Sequence, residues 1–336
     1  MDGNFSLVYN RLLIVTAVGS ISVKPFCIYI LIRKTPKVMR TVSYFLLNEL
    51  LWNFTGNLLY TFGNPVLMLP AMCFRMDGIA ASWLKKEEHQ SFYATAICVT
   101  VMNFCVGFLN TFAFHYITLA YRKTLTKFHK AWMCVFCLVL HLILSLVTIV
   151  ALHTLHIPVR EYPEGYLPDS TLNVFCYKPK GIELFMCGCI IFVSLGIGTF
   201  LLVLFVGLSV RELWIKKTLM EKRTLQLQKD IMKNLLTITG IAVFSGSVPI
   251  ALAFFYFYNN KLPYARIIIN ASILLMLNFG TLYAILILSI FKTYRKAVIA
   301  MATKFKKLLY RAFRVGQIYH TTPTNTAFEH VNNVRY

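Results

Sequence analysis

Hydrophobic and polar positions alternate along this chain on the scale of whole segments, not of single residues. Apolar runs cover roughly 12–32, 42–64, 92–119, 131–152, 184–209, 234–257 and 267–290, and short polar stretches separate them. A helix needs about 20 residues to cross about 30 Å of hydrocarbon. Each run therefore predicts one spanning helix, and together they predict an all-α, polytopic bundle of seven over 12–290. The second run continues through Pro65 to Pro70, which predicts a kinked or unwound end there. Pro25 and Pro249 fall inside runs and should bend them.

Composition agrees with a lipid-facing surface. Of 336 residues, 57% are hydrophobic and only 14% charged, where an ordinary soluble domain carries about 25% charged residues. The net charge of +21 raises the question of nucleic acid. The basic residues, however, sit in short loops between apolar runs, with no continuous stripe and no base-stacking module. No nucleic-acid partner is expected.

Their distribution sets direction instead, because Lys and Arg are retained on the cytoplasmic side. One set of loops, with the segment from Lys292 onward, holds 24 basic residues against four acids; the opposite set holds nine against eight. This predicts an extracellular N-terminus over 1–11 and a cytoplasmic C-terminus. The first run lacks a small-residue cleavage site, so the first helix is expected to act as its own insertion signal. Asn4-Phe5-Ser6 is a glycosylation sequon on the outer side, making Asn4 a modification candidate, whereas the sequons at Asn53 and Asn270 fall within helices.

Two charged side chains lie deep in the predicted spans, Lys24 and Glu49, at matched depth in adjacent antiparallel helices. An unpaired charge there is costly, so a Lys24–Glu49 ion pair is expected. The alternative is a snorkelling Lys24 beside a protonated Glu49. Glu49, Asn53, Asn57, Tyr60 and Asn64 recur at helical spacing as one polar stripe. Asn103 with Asn110, and Asn270 with Asn278, share faces of the third and seventh helices. Such stripes face a bundle interior, either to fix packing or to contact a ligand.

Of nine cysteines, only Cys73 and Cys176 fall in outside loops, the oxidising side, and they are the candidate disulfide; Cys98 near the top of the third helix is a competitor. Cys134 and Cys137 are CxxC-spaced but lie at lipid depth, where packing is the expected role. No histidine cluster completes a metal site, and no Walker loop, nucleophile elbow or HExxH string is present. No catalysis, cofactor or metal is expected. After Phe291, apolar Val298, Phe305, Leu308 and Leu309 intersperse with Lys304, Lys306, Lys307 and Arg311. This predicts an amphipathic juxtamembrane helix over 291–316, drawn to anionic membrane lipid, and a disordered tail over 317–336.

Specific strings carry a family resemblance. Lys34-Thr35-Pro36-Lys37-Val38-Met39 follows the first run, Leu46-Leu47-Asn48 and Trp52 open the second, and Pro65 and Pro70 stand at its end. Thr224-Leu225-Gln226-Leu227-Gln228-Lys229 leads into the sixth run, and Phe279-Gly280 precedes Tyr294-Arg295. From about Ser20 to Lys296 the chain resembles nematode seven-transmembrane chemoreceptors of the Str superfamily, closest to the Srh and Sri families. It departs where Glu49 replaces an aliphatic residue, Phe279 a histidine and Thr293 a proline. Phe114-His115-Tyr116 stands where Srh members tend to have Phe-Glu-Asn-Arg.

The resemblance implies a G-protein-coupled receptor for an odorant or other small molecule, in the plasma membrane of a sensory-neuron cilium. It implies a ligand in the outer half of the bundle, for which Asn57, Asn103, Asn110, Tyr256 and Asn270 are the candidate contacts. It also implies a heterotrimeric G protein at the inner face, met by Arg122, Lys216, Lys217, Arg223 and Lys229. Two competing classes make different sequence demands. A ligand-gated odorant channel has its N-terminus inside, against the basic asymmetry. A small transporter should show internal repeats around a midplane site.

Overall fold

The computed structural model describes residues 3–36, 39–121, 130–163, 172–218 and 222–320. Long helices dominate: α1 (Gly3–Lys34), α2 (Arg40–Gly63), α3 (Glu87–Ala120), α4 (Lys130–Leu155), α5 (Ile182–Ile215), α6 (Lys222–Ala242), α7 (Val248–Tyr258), α8 (Ala265–Ile290) and α9 (Lys292–His320). Among the described residues, six helices are long and apolar enough to cross a membrane, α6 and α7 together forming one of them. The 24-residue α2 is long enough to span but is not one of the six. Its polar stripe lowers its apolarity while directing it inward, where Glu49, Asn57 and Tyr60 are buried.

Helices facing lipid gain nothing from hydrophobic association, so small residues and interhelical hydrogen bonds decide how closely they pack. The α2–α3 contact shows this at Gly107: a Cβ there would lie 3.1 Å from Asn48 Nδ2 and 3.3 Å from Glu49 Cγ. α1 and α8 close on the other side of α2, and α5 lies against α3. The half of the bundle nearer the juxtamembrane helix is filled by Ile30, Leu31, Leu46, Leu50, Phe112 and Ile287. α4 and α5 turn apolar residues outward, with Leu142 and Leu146 of α4 and Phe200 and Val203 of α5 all more than half exposed.

Local departures from helix have identifiable causes. Between α6 and α7 a π-helical turn spans Val243–Ser247. Pro249 follows it, with no N–H to give to the Ser245 carbonyl and a ring that crowds that turn. Pro25 is accommodated within a continuous α1. α2 ends where Asn64 takes a left-handed conformation (φ 42°, ψ 60°) and its N–H returns to the Tyr60 carbonyl at 2.7 Å. The chain beyond it is extended, so the anticipated break near Pro65 begins at Asn64.

Opposite the juxtamembrane end, four short strands cap the bundle: β1 (Pro65–Leu67), β2 (Cys73–Met76), β3 (His156–Ile157) and β4 (Val174–Tyr177). They form one antiparallel sheet in the order β1-β2-β4-β3. Cys73 faces Cys176 in the β2–β4 register, and a disulfide joins them; Cys98 is free. Phe74 of the sheet stacks on Phe175 and on Phe257 of α7, and Tyr177 meets Phe74 and Phe175 edge-on. The Tyr162 hydroxyl accepts a 2.9 Å hydrogen bond from the Met72 N–H, pinning the connection to the strands.

Both chain ends differ from their sequence-based boundaries. Residues 3–11 are helical, because Tyr9 and Leu13 bury against Tyr60, Ile97 and Leu277 and extend α1. α9 follows α8 at Lys292 and packs Tyr294, Ala297, Val298 and Met301 onto the core. It leaves Phe305, Leu308 and Tyr310 exposed beside its lysines and continues through 317–320. The remainder of the expected tail, 321–336, lies outside the described residues.

Candidate functional site

The site is a buried polar column between α1, α2, α3 and α8. The α2 stripe supplies one group per turn, and each turn meets a different pair of neighbours. Nearest the juxtamembrane end, Glu49 is fully buried and accepts hydrogen bonds on its two carboxylate oxygens, from the Thr111 hydroxyl of α3 and the Tyr283 hydroxyl of α8. One turn further, Asn53 Oδ1 accepts from the Lys24 ammonium of α1 at 2.5 Å. Asn53 also rests on Gly280 of α8, where a Cβ would come within 1.6 Å of the same oxygen. The next turn places Asn57 Nδ2 2.9 Å from the Leu277 carbonyl and 3.3 Å from Ser20 Oγ. At the sheet end, the Tyr60 and Tyr9 hydroxyls are 2.9 Å apart.

A branch runs sideways to α4. His141 Nδ1 is 2.6 Å from Asn103 Oδ1, and its Nε2 is 3.2 Å from Asn48 Nδ2. A neutral ring with its proton on Nδ1 satisfies both contacts, donating to Asn103 and accepting from Asn48. The Asn103 amide nitrogen donates to Ser145 Oγ at 2.8 Å and to the Val99 carbonyl. The His141 ring also lies against Trp52, with centroids 5.6 Å apart. Three helices are thus joined through one imidazole.

The arrangement can hold helices in a single relative setting and respond when that setting shifts. Among the described residues, no group of three His, Cys, Asp or Glu side chains converges on a metal position.

Comparison with protein-family models matches residues 6–304 to the serpentine type 7TM GPCR chemoreceptor Srh family. The chain belongs to the Srh family. No curated protein matches it. The match runs from the first turns of α1 into α9 and so takes in every layer of the polar column in this Srh protein.

The predicted site residues separate into distinct environments. The Lys24–Glu49 ion pair does not form: Lys24 bonds Asn53, and Glu49 bonds Thr111 and Tyr283. The register that sets Ser20 against Asn57 and Thr35 against Ser43 sets Lys24 against Asn53. Glu49 is left one turn closer to the juxtamembrane end. Asn103, expected in a ligand cavity, has both ends of its amide engaged between α3 and α4, and the Asn57 amide nitrogen is likewise engaged. Asn110 is buried with an amide nitrogen that meets no acceptor, but it adjoins Thr111 in the half of α3 away from the sheet. Tyr256 and Asn270 lie near the sheet-side ends of α7 and α8, Tyr256 partly and Asn270 fully buried.

On the opposite face, the Lys216 ammonium caps α3, donating to the carbonyls of Leu119 at 2.6 Å and Ala120 at 2.7 Å, with Glu212 at 3.3 Å. It satisfies carbonyls that the helix cannot use itself, as cations do at helix C-termini. Lys217 and Lys229 are exposed. Arg122 lies outside the described residues, and Arg223 and Asn4 are described by their backbone alone. Sequence reasoning passed over Thr111, Tyr283, His141 and Ser145. A histidine at lipid depth in a helix otherwise poor in polar groups was the one available signal.

Proposed function

We propose that this Srh protein is a chemosensory G-protein-coupled receptor with seven spanning helices, α2 being the one whose polar stripe disguises it. Its N-terminus is extracellular and its C-terminus cytoplasmic, in the plasma membrane of a sensory-neuron cilium. A small-molecule ligand occupies the outer half, beneath the disulfide-braced sheet, and a heterotrimeric G protein docks on the basic inner face. The family match across 6–304 carries this reading.

The column offers the coupling. Tyr256 and Asn270 are the proposed ligand contacts, since Asn57 and Asn103 are committed to packing and Asn110 lies deeper. A ligand that binds one helix setting better than another shifts the population by its differential affinity. Movement of α7 about the π-helical turn at Val243–Ser247 reaches α6, which leads to the inner face through Lys229. The proposed partner contacts are Arg122, Lys217, Arg223 and Lys229, with Lys216 released from α3 in the signalling state.

The test is guanine-nucleotide exchange on a purified heterotrimer, with the receptor in nanodiscs and a panel of small volatile organic compounds. Ligand-dependent exchange that falls in Asn270→Ala and Tyr256→Ala, at unchanged melting temperature, supports the reading. Ion flux evoked by the panel in liposomes, without nucleotide exchange, would replace it with the channel reading.

A further inference from the structure

A groove of about 440 Å³ opens on the lipid-facing side where α1, α8 and α9 meet. Its walls are Val23 and Phe26 of α1, Ile285 and Leu288 of α8, and Val298 and Ile299 of α9. The two serines that also line it add little polarity, because Ser22 donates to the Val18 carbonyl and Ser289 to the Leu286 carbonyl of their own helices. Arg295 is the one charged residue of the lining. Its side chain is exposed, and no acid among the described residues lies within salt-bridge reach of its guanidinium.

The apolar slot ends at α9, whose other exposed cations, among the described side chains, are Lys292, Lys296, Lys304, Lys306 and Lys307. Arg295 differs from them in lining an apolar groove. A guanidinium there matches a phosphate in two-point geometry. The slot leads from it along α1 and α8 toward the bilayer interior, the direction an acyl chain takes from its headgroup. We propose that this groove is a binding site for one anionic phospholipid, its phosphate on Arg295 and an acyl chain against Val23, Phe26, Ile285 and Leu288. This differs from general attraction of a basic helix to a negative leaflet, which would not single out a residue or require a groove. It does not rest on the receptor reading, because the lipid is counted on the protein itself.

Native mass spectrometry of the full chain, released from micelles carrying phosphatidylserine or phosphatidylcholine, tests the site. One phosphatidylserine should be retained in preference to phosphatidylcholine. Arg295→Gln should weaken retention about tenfold, the order expected for losing a charge-assisted pair. Ser289→Trp, which fills the slot and leaves Arg295 in place, should do the same, whereas Lys304→Gln should bind as the unaltered chain does. Equal losses in Arg295→Gln and Lys304→Gln would overturn the site in favour of diffuse attraction. So would equal retention of both lipids, or full retention by Ser289→Trp. Melting temperatures of each variant separate lost binding from lost folding.

Discussion

Replacing Asn53 with leucine should strand the Lys24 ammonium. Lys24 has no exposed surface, and its hydrogen bond among the described residues is the 2.5 Å contact to Asn53 Oδ1. Interhelical hydrogen bonds in membranes average about 0.6 kcal/mol and reach about 1.7, because the unpacked helix also finds partners. Leaving a buried charged group without an acceptor costs more than a neutral bond. A loss of about 2 kcal/mol is therefore expected for Asn53→Leu. With an unfolding entropy of about 2.1 cal/mol/K per residue, a chain of 336 residues shifts by about 1.4 °C per kcal/mol, so melting in detergent should fall by about 3 °C. Lys24→Met removes the charge together with its need for a partner, so it should be close to neutral. In that background Asn53→Leu should cost little, giving a coupling energy of most of the 2 kcal/mol. If Asn53→Leu lowers melting equally in both backgrounds, Asn53 is not what holds the ammonium, and the layered column is wrong at its centre.

Three further outcomes follow from neighbouring contacts. Gly280→Ala should lower melting about as much as Asn53→Leu and add little to it, because the new Cβ occupies the space of the Asn53 amide, 1.6 Å from its oxygen; full additivity in the double variant would count against this. Replacing both Cys73 and Cys176 with serine opens a link across 103 residues of chain and should cost about 4 kcal/mol, read as melting that no longer responds to reductant. Lys216→Ala should raise basal nucleotide exchange by freeing the end of α3, while Lys217→Ala leaves it unchanged. Equal effects of these two would remove Lys216 as a restraint.

The helices were the legible part of this chain, since long apolar runs bounded by basic loops leave few other structures possible. Their ends were less so. α1 begins at Gly3 because of burial against Tyr60, a contact that lies 51 residues away and leaves no local mark. The α2 stripe was legible from helical spacing, but its partners were not. Counting from helix ends set Lys24 beside Glu49, and the true register differs by one turn, enough to exchange every partner. Thr111 and Tyr283 gave no warning because a single threonine or tyrosine in a spanning helix is unremarkable until a carboxylate faces it. The asparagines told the same story twice: amides point inward, and only the structure separates Asn103, spent on His141 and Ser145, from Asn270 near the sheet. The strand cap was invisible because its members are two to four residues long and pair across gaps of up to about a hundred residues.

The central claim is a receptor that crosses the membrane seven times, with α2 among the crossings. Epitope tags at the two termini, stained before and after permeabilisation, test it most directly. The N-terminal tag should stain on intact cells and the C-terminal tag only once the membrane is opened. Both tags on one side would leave an even number of crossings and remove α2 from the membrane count, and an N-terminal tag seen only after permeabilisation would reverse the bundle and contradict the account.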